Sequence, residues 1–164
     1  MGNIFKVDGK FKIKVLILSF LVTFSVGLLG FLGGKDYFYD YLKLNKPIFS
    51  PPSLIFLIVW TILYILMSIA AYRVYLRKYS GVKIWRAIKL YLVQLFLNFL
   101  WPVVFFRLRL YAISFLEILL LLFFLLLTTF EFLKKDKVSS FLMIPYIAWV
   151  SYAGVLNYVI WMMN

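Results

Sequence analysis

The 164-residue chain is 65% hydrophobic and 15% charged, with a mean hydropathy of +0.99. Soluble domains carry about 45–50% apolar and about 25% charged residues, so a water-soluble globular domain is excluded and an integral membrane protein is implied. Cysteine and histidine are both absent, which rules out disulfides, thiol catalysis, a Cys/His zinc site and the two commonest axial ligands of haem iron, and removes the side chain best suited to proton transfer near neutral pH.

A membrane helix needs about 20 predominantly apolar residues. Five stretches qualify, at about 13–33, 53–74, 88–106, 110–133 and 140–162, and together they predict one all-α domain over residues 1–164, an integral membrane bundle of five transmembrane helices. Lys6, Lys10, Lys12 and Lys14 precede the first span as they would precede a signal peptide's apolar core. Its apolar run is too long for that core, and no small-residue cleavage site follows, so it is read as a retained helix. Thr23, Gly27, Gly30 and Gly34 repeat at i+4, i+3 and i+4, a small-residue face suited to close packing within the molecule.

The net charge of +12 is explained by where the charges fall. With the N-terminus inside, thirteen of the eighteen basic residues lie on inner segments, namely Lys6, Lys10, Lys12, Lys14, Arg73, Arg77, Lys78, Lys83, Arg86, Lys89, Lys134, Lys135 and Lys137. The five on outer segments are Lys35, Lys43, Lys46, Arg107 and Arg109. This is a positive-inside pattern that orients the chain, C-terminus outside. The basic charge can touch anionic membrane lipid, and no nucleic-acid partner is needed to account for it.

The second span is introduced by Ser50-Pro51-Pro52. Ser50 is expected to cap the helix through its hydroxyl, with both prolines in the first turn, where a missing N–H costs nothing. Trp60, Tyr64 and Met67 then share one face at i, i+4, i+7. In the third span Gln94, Asn98, Trp101 and Phe105 also share a face. Two amides avoid lipid and turn inward, either as an interhelical hydrogen bond or as polar anchors of a cavity. Pro102 cannot donate to the carbonyl of Asn98, which stays free for another donor. The fourth span carries one intramembrane acid, Glu117, a functional candidate unless it simply snorkels to the interface or stays protonated. In the fifth, small Ala153 leaves room beside Trp149. Alternating topology puts Trp60 and Trp101 in the outer half of the membrane, Trp149 near its middle and Asn157 outward of that. Helices two, three and five can then line one apolar chamber beneath the 41–52 loop. Trp85 and Trp161 fit an interfacial aromatic belt instead.

Three strings carry a family resemblance. They are Tyr41-x-x-Leu44-Asn45-Lys46-Pro47-x-Phe49-x-Pro51-Pro52-x-x-x-Phe56-x-x-x-Trp60-Thr61-x-Leu63-Tyr64-x-x-Met67-x-x-Ala70-x-Tyr72, then Gln94-Leu95-x-Leu97-Asn98-x-x-Trp101 with Phe105-Phe106, and Pro145-Tyr146-x-x-Trp149-x-x-Tyr152-Ala153-x-x-Leu156-Asn157-Tyr158. Together they resemble the translocator protein, or tryptophan-rich sensory protein (TspO/MBR), family from about Tyr41 to the end. The resemblance implies a bundle that binds porphyrins and, in some members, cholesterol and benzodiazepine-type drugs. Some bacterial members are described as degrading protoporphyrin in light and oxygen, and transport, sensing and stress-signalling roles have been proposed. It implies a protoporphyrin-like ligand, no required cofactor and no metal. The ligand-binding candidates are Tyr41, Pro51, Trp60, Tyr64, Gln94, Asn98, Trp101, Tyr111, Trp149, Ala153 and Asn157, with Trp60 and Trp149 as candidates for chemistry. The expected location is a bacterial cell membrane, and a homodimer is left open.

The chain also departs from the family. Members commonly carry an acid three positions after the alanine matching Ala112, where this chain has Phe115 and places Glu117 two later. The basic residue of the cholesterol motif after helix five is missing, and Tyr91 to Phe106 has no small-residue dimer face. Three functions are therefore weighed. A binding and sensing protein for flat apolar ligands needs only the pocket. A light-driven porphyrin-degrading enzyme would use the electron-rich rings of Trp60 and Trp149. A small-molecule exporter would be expected to show the charge pairs, broken helices and repeats usual in such machines, which this sequence lacks.

Overall fold

In a bilayer no water is available to backbone N–H and C=O groups, so each apolar stretch must close its own hydrogen bonds as a helix. The computed structural model, which describes residues 4–33 and 43–164, shows this. Helices α1 (Ile13–Gly33), α2 (Ser53–Leu76), α3 (Trp85–Pro102), α4 (Tyr111–Leu133) and α5 (Lys137–Met163) follow the five predicted spans. A 3₁₀ turn, Arg77–Ser80, extends α2, and a π turn, Val103–Arg107, follows α3. Among the described residues these five helices are long and apolar enough to cross a membrane. The protein is an all-α integral membrane protein.

The core lies between α2, α3, α4 and α5, where Met67, Leu95, Leu121, Leu125, Met143 and Val150 are buried together. Helix α1 stands at the edge, packed on α2 and α3, and buries only Thr23 and Gly30. Thr23 shares a 2.7 Å hydroxyl–hydroxyl hydrogen bond with Tyr91 of α3. A Cβ added to Gly30 would lie 3.1 Å from Pro102 Cγ, and one on Gly33 would lie 2.8 Å from Val103 Cγ2. The small-residue face thus works inside the bundle; Gly34 falls outside the described residues.

The start of α2 corrects the expected cap. Helix α2 begins at Ser53, the capping position is Pro52 (φ −55°, ψ 146°), and no side chain caps it. The hydroxyl of Ser50 is buried without a hydrogen-bond partner among the described residues. The reason is steric: a residue preceding proline is pushed out of the helical region. Pro51 precedes Pro52, so neither Ser50 nor Pro51 can open a helical turn.

Residues 4–12, the α2–α3 turn and the α4–α5 turn meet at one end of the bundle, here the basic end. Asp136 is their hub. Its carboxylate accepts from Arg73 Nε at 2.7 Å and Nη2 at 3.0 Å, from Arg77 Nη2 at 3.1 Å, and from the N–H and hydroxyl of Ser139 at 2.9 and 2.7 Å. Arg73 also donates to the carbonyl of Ile4 at 2.6 Å, while Arg77 and Ser80 hold Asp8. Tyr72 donates to the carbonyl of Phe5 at 2.9 Å. The N-terminal segment is thereby strapped across this end. It turns through Asp8 and Gly9, both with positive φ. At the opposite end, the loop end, Asn45 and Asn164 exchange hydrogen bonds at 3.1 and 2.9 Å.

Burial opposes the charge on Asp136, but the bonds from Arg73 and Ser139 outweigh it and hold its carboxyl well below the usual carboxylate range. A group whose folded pKa is lowered contributes stability above its unfolded value, about 3.9 for aspartate. That contribution disappears as pH falls through the folded value. Replacing Asp136 with Asn leaves a buried arginine without its counter-charge and is expected to cost about 3–5 kcal/mol. Thermal unfolding in detergent should show a lowered midpoint near neutral pH and a gap from the parent that narrows on acidification below about pH 4. Five crossings also put Lys78 and Asn164 on opposite sides of the membrane; reporter fusions after these residues should report opposite compartments, and the same compartment would contradict the fold.

Candidate functional site

Phe56, Trp60 and Tyr64 stack along one face of α2 at four-residue spacing, with successive ring centroids 6.0 and 5.5 Å apart. Opposite them α1 presents Gly27 and Gly30, which bring no side chain. The result is a cavity of about 310 Å³ between α1, α2 and α3. Phe24, Leu28 and Phe31 add the rest of the α1 wall, Leu57 and Thr61 extend the α2 wall, and Asn98, Trp101, Pro102 and Phe106 close the third side. Pro102 lacks the N–H that would continue a regular α-helix, and the chain passes into the π turn that carries Phe106.

The polar groups at this site are few and mostly committed. Tyr64 donates its hydroxyl to Asn98 Oδ1 at 2.9 Å, and Asn98 Nδ2 donates to the Tyr146 hydroxyl at 2.8 Å. Trp101 Nε1 donates to Asn157 Oδ1 at 3.0 Å; Asn157 also accepts from Ser114 at 3.1 Å and donates to the Tyr111 carbonyl at 3.0 Å. Of the wall aromatics, Tyr64 on α2 and Trp101 on α3 are thus held by hydrogen bonds. The indole N–H of Trp60 is buried with no hydrogen-bond partner among the described residues, while its ring lines the cavity.

Four sequence-predicted residues, Trp60, Tyr64, Asn98 and Trp101, line this cavity. Three of them, with Ala153, line a second void of about 10 Å³ between α2, α3, α4 and α5. Phe56, Trp60, Asn98 and Trp101 border both spaces and form a partition between them. Asn157 and the backbone of Tyr111 stand behind Trp101, and the Tyr111 ring packs on Phe105 at 5.2 Å. Trp149 is half-buried on neither wall, 5.9 Å from Phe56, with its N–H unpartnered among the described residues. Gln94 is fully buried with both amide atoms unpartnered among the described residues. Pro51 is half-buried in the loop and Tyr41 lies outside the described residues. Glu117 is buried rather than snorkelling.

The expected chamber between α2, α3 and α5 is therefore reduced to the small void, because the Trp60 and Trp101 rings and the Asn98–Tyr146 pair fill that space. The open volume lies on the α1 side. Sequence reasoning missed the α1 wall and Tyr146. The glycine spacing on α1 was the available signal, because a face without side chains can border a cavity as well as a tight contact.

Together these features define an all-α membrane protein with an aromatic cavity inside its helix bundle. The chain belongs to the TspO/MBR family, whose sequence profile matches residues 17–162. It is 32% identical over 155 residues to the tryptophan-rich protein TspO of Chlorobaculum tepidum, covering 92% of this chain and 98% of that one. It is 34% identical over 152 residues to the protein CrtK of Rhodobacter capsulatus, covering 93% and 94%. With the translocator protein of Bos taurus it shares 31% identity over 153 residues, covering 90% and 89%.

Two substitutions test this geometry. A Cβ on Gly27 would collide with the ring of Tyr64, whose hydroxyl is tied to Asn98. Gly27→Ala is therefore expected to destabilise by about 1–3 kcal/mol, as overpacking does. Asn98→Leu strands two tyrosine hydroxyls and is expected to cost about 1–3 kcal/mol. Thermal midpoints in detergent check both, and unchanged midpoints would contradict the packing described.

Proposed function

We propose that the protein is a membrane receptor or sensor that binds porphyrin and similar flat apolar ligands in the cavity between α1, α2 and α3. One observation carries the reading: a cavity of about 310 Å³ walled by aromatic rings, with Asn98 and Thr61 among its few polar lining residues. Small-molecule sites are apolar clefts of about 300–1,000 Å³ with a few placed polar groups. This one is at the small end and opens past Leu28, Phe31 and Leu57, so a larger flat ring can extend beyond the walls. The relatives' names, sensory protein and translocator protein among them, support the reading. No cofactor is required by it. The membrane is proposed to be a bacterial cell membrane, with the basic end inside.

A second reading is favoured by one contact. Phe56 packs 6.0 Å from Trp60 and 5.9 Å from Trp149, an aromatic path along which a radical formed beside bound porphyrin could pass between the two indoles. Phe56 and Trp60 serve equally as wall and Trp149 as packing behind Phe56.

Protoporphyrin titration of the purified protein tests the first reading. Trp60→Phe is expected to keep most of the affinity because stacking needs only a π-face, and Trp60→Ala to weaken it by about 0.5–1.5 kcal/mol or more. No protoporphyrin binding by the parent protein would overturn the reading. For the second, Trp149→Phe at full occupancy should bleach the porphyrin band under light and air at the parent's rate if the indoles are only wall. Slower bleaching at equal occupancy would establish the chemical role.

A further inference from the structure

Helix α1 does not follow one neighbour along its length. Toward the basic end it is pinned to α2: Ser19 Oγ donates to the Ser68 carbonyl at 2.7 Å, and the Phe24 and Tyr64 rings sit 5.8 Å apart. Toward the loop end its contacts pass to α3, with Gly30 against Pro102 and Gly33 against Val103. Between these two attachments Gly27 packs on the Tyr64 ring, and from that contact toward the loop end α1 and α2 border the cavity without filling it. Its rim is made of side chains that face the bilayer: Leu28 is 59%, Phe31 52% and Leu57 52% exposed.

Among the described residues the other directions are occupied. At the basic end the Asp136 cluster and the N-terminal strap cover buried Tyr72 and Leu76. Toward α4 and α5, Asn98 and Trp101 of the partition are hydrogen-bonded from behind, and the Trp60 ring packs on Tyr146 at 6.0 Å. In the described part of the loop, Phe49 is tied to α5 through the Tyr152 hydroxyl at 2.7 Å, and Asn45 is tied to Asn164. The wide side of the cavity is the one that lipid touches.

We infer that the cavity is loaded sideways from the loop-end leaflet through the gap between α1 and α2, and that its ligand class is flat hydrophobes dissolved in the bilayer rather than in water. This rests on the reading that the cavity binds such a ligand. A sideways gate has a kinetic signature. Narrowing it slows association and dissociation together, because both directions cross the same barrier, whereas damage to the site raises dissociation alone.

The chain has no cysteine, so a reversible clasp can be installed. In the Leu28→Cys/Thr61→Cys protein, reconstituted in phosphatidylcholine vesicles, a short bis-methanethiosulfonate bridge would tie α1 to α2 across the rim, and dithiothreitol would release it. Protoporphyrin carried in the same bilayer is the probe. The expected result is that the bridge slows both rates at least tenfold and that dithiothreitol restores them in the same sample. The same chemistry at Leu116→Cys/Val155→Cys, on the lipid faces of α4 and α5, should change neither rate. A tetrasulfonated tetraphenylporphyrin, which is flat but confined to water, should not load. Rates that stay within twofold on bridging, a change in dissociation alone, or loading of the sulfonated ring would each overturn sideways access while leaving the binding reading intact. Protoporphyrin binding by neither the unbridged variant nor the parent would overturn both.

Discussion

One amide holds the centre of this bundle. Asn98 accepts from Tyr64 on α2 with its oxygen and donates to Tyr146 on α5 with its nitrogen, so three helices meet at a single side chain. In hydrocarbon there is no hydrophobic force to draw helices together, and association depends on packing and interhelical hydrogen bonds. The cavity exists because of this arrangement. Tyr64 is drawn toward α3, its ring backs onto Gly27, and the space beyond is left to the aromatic wall. Asn98 is consequently a girder at the cavity edge: one lone pair of its oxygen and one of its two N–H groups are committed to the tyrosines, and the amide keeps one of each beyond those bonds.

The five spans were legible because length and apolarity alone decide them, and the helix ends differ from expectation by a few residues. The same clarity held for the direction of the polar faces: Gln94, Asn98 and Trp101 do turn inward. What the residues could not show was which neighbour each polar group would find. Trp101 found Asn157, and Asn98 found two tyrosines, whereas Gln94 and Glu117 found none among the described residues. Those outcomes depend on helix rotation and depth, which periodicity leaves open. The Ser50 cap failed for a local reason, since a proline after a proline forbids the helical turn that the cap requires. The larger opening lies on the α1 side, which a reading of the glycines as contact surfaces alone does not suggest.

The bundle is unevenly secured. The basic end combines a buried carboxylate, two arginines and the N-terminal strap, and four helices share one core. Helix α1 is attached chiefly through glycines, a serine and a threonine. Sub-global motion draws on elements with few buried apolar contacts, and among the helices α1 fits that description. The cavity thus sits between a rigid four-helix wall and the element best able to move, an arrangement that suits reversible capture of a ligand from the membrane.

The most direct measurement is a structure of the protein with protoporphyrin bound in a lipid environment. The expected result is a ring lying against Trp60 and Phe106 on the α1 side, at the rim formed by Leu28, Phe31 and Leu57, with the Asn98–Tyr146 bond intact. A ring lodged between α2, α3, α4 and α5, with Trp60 and Trp101 swung aside and that bond broken, would contradict it.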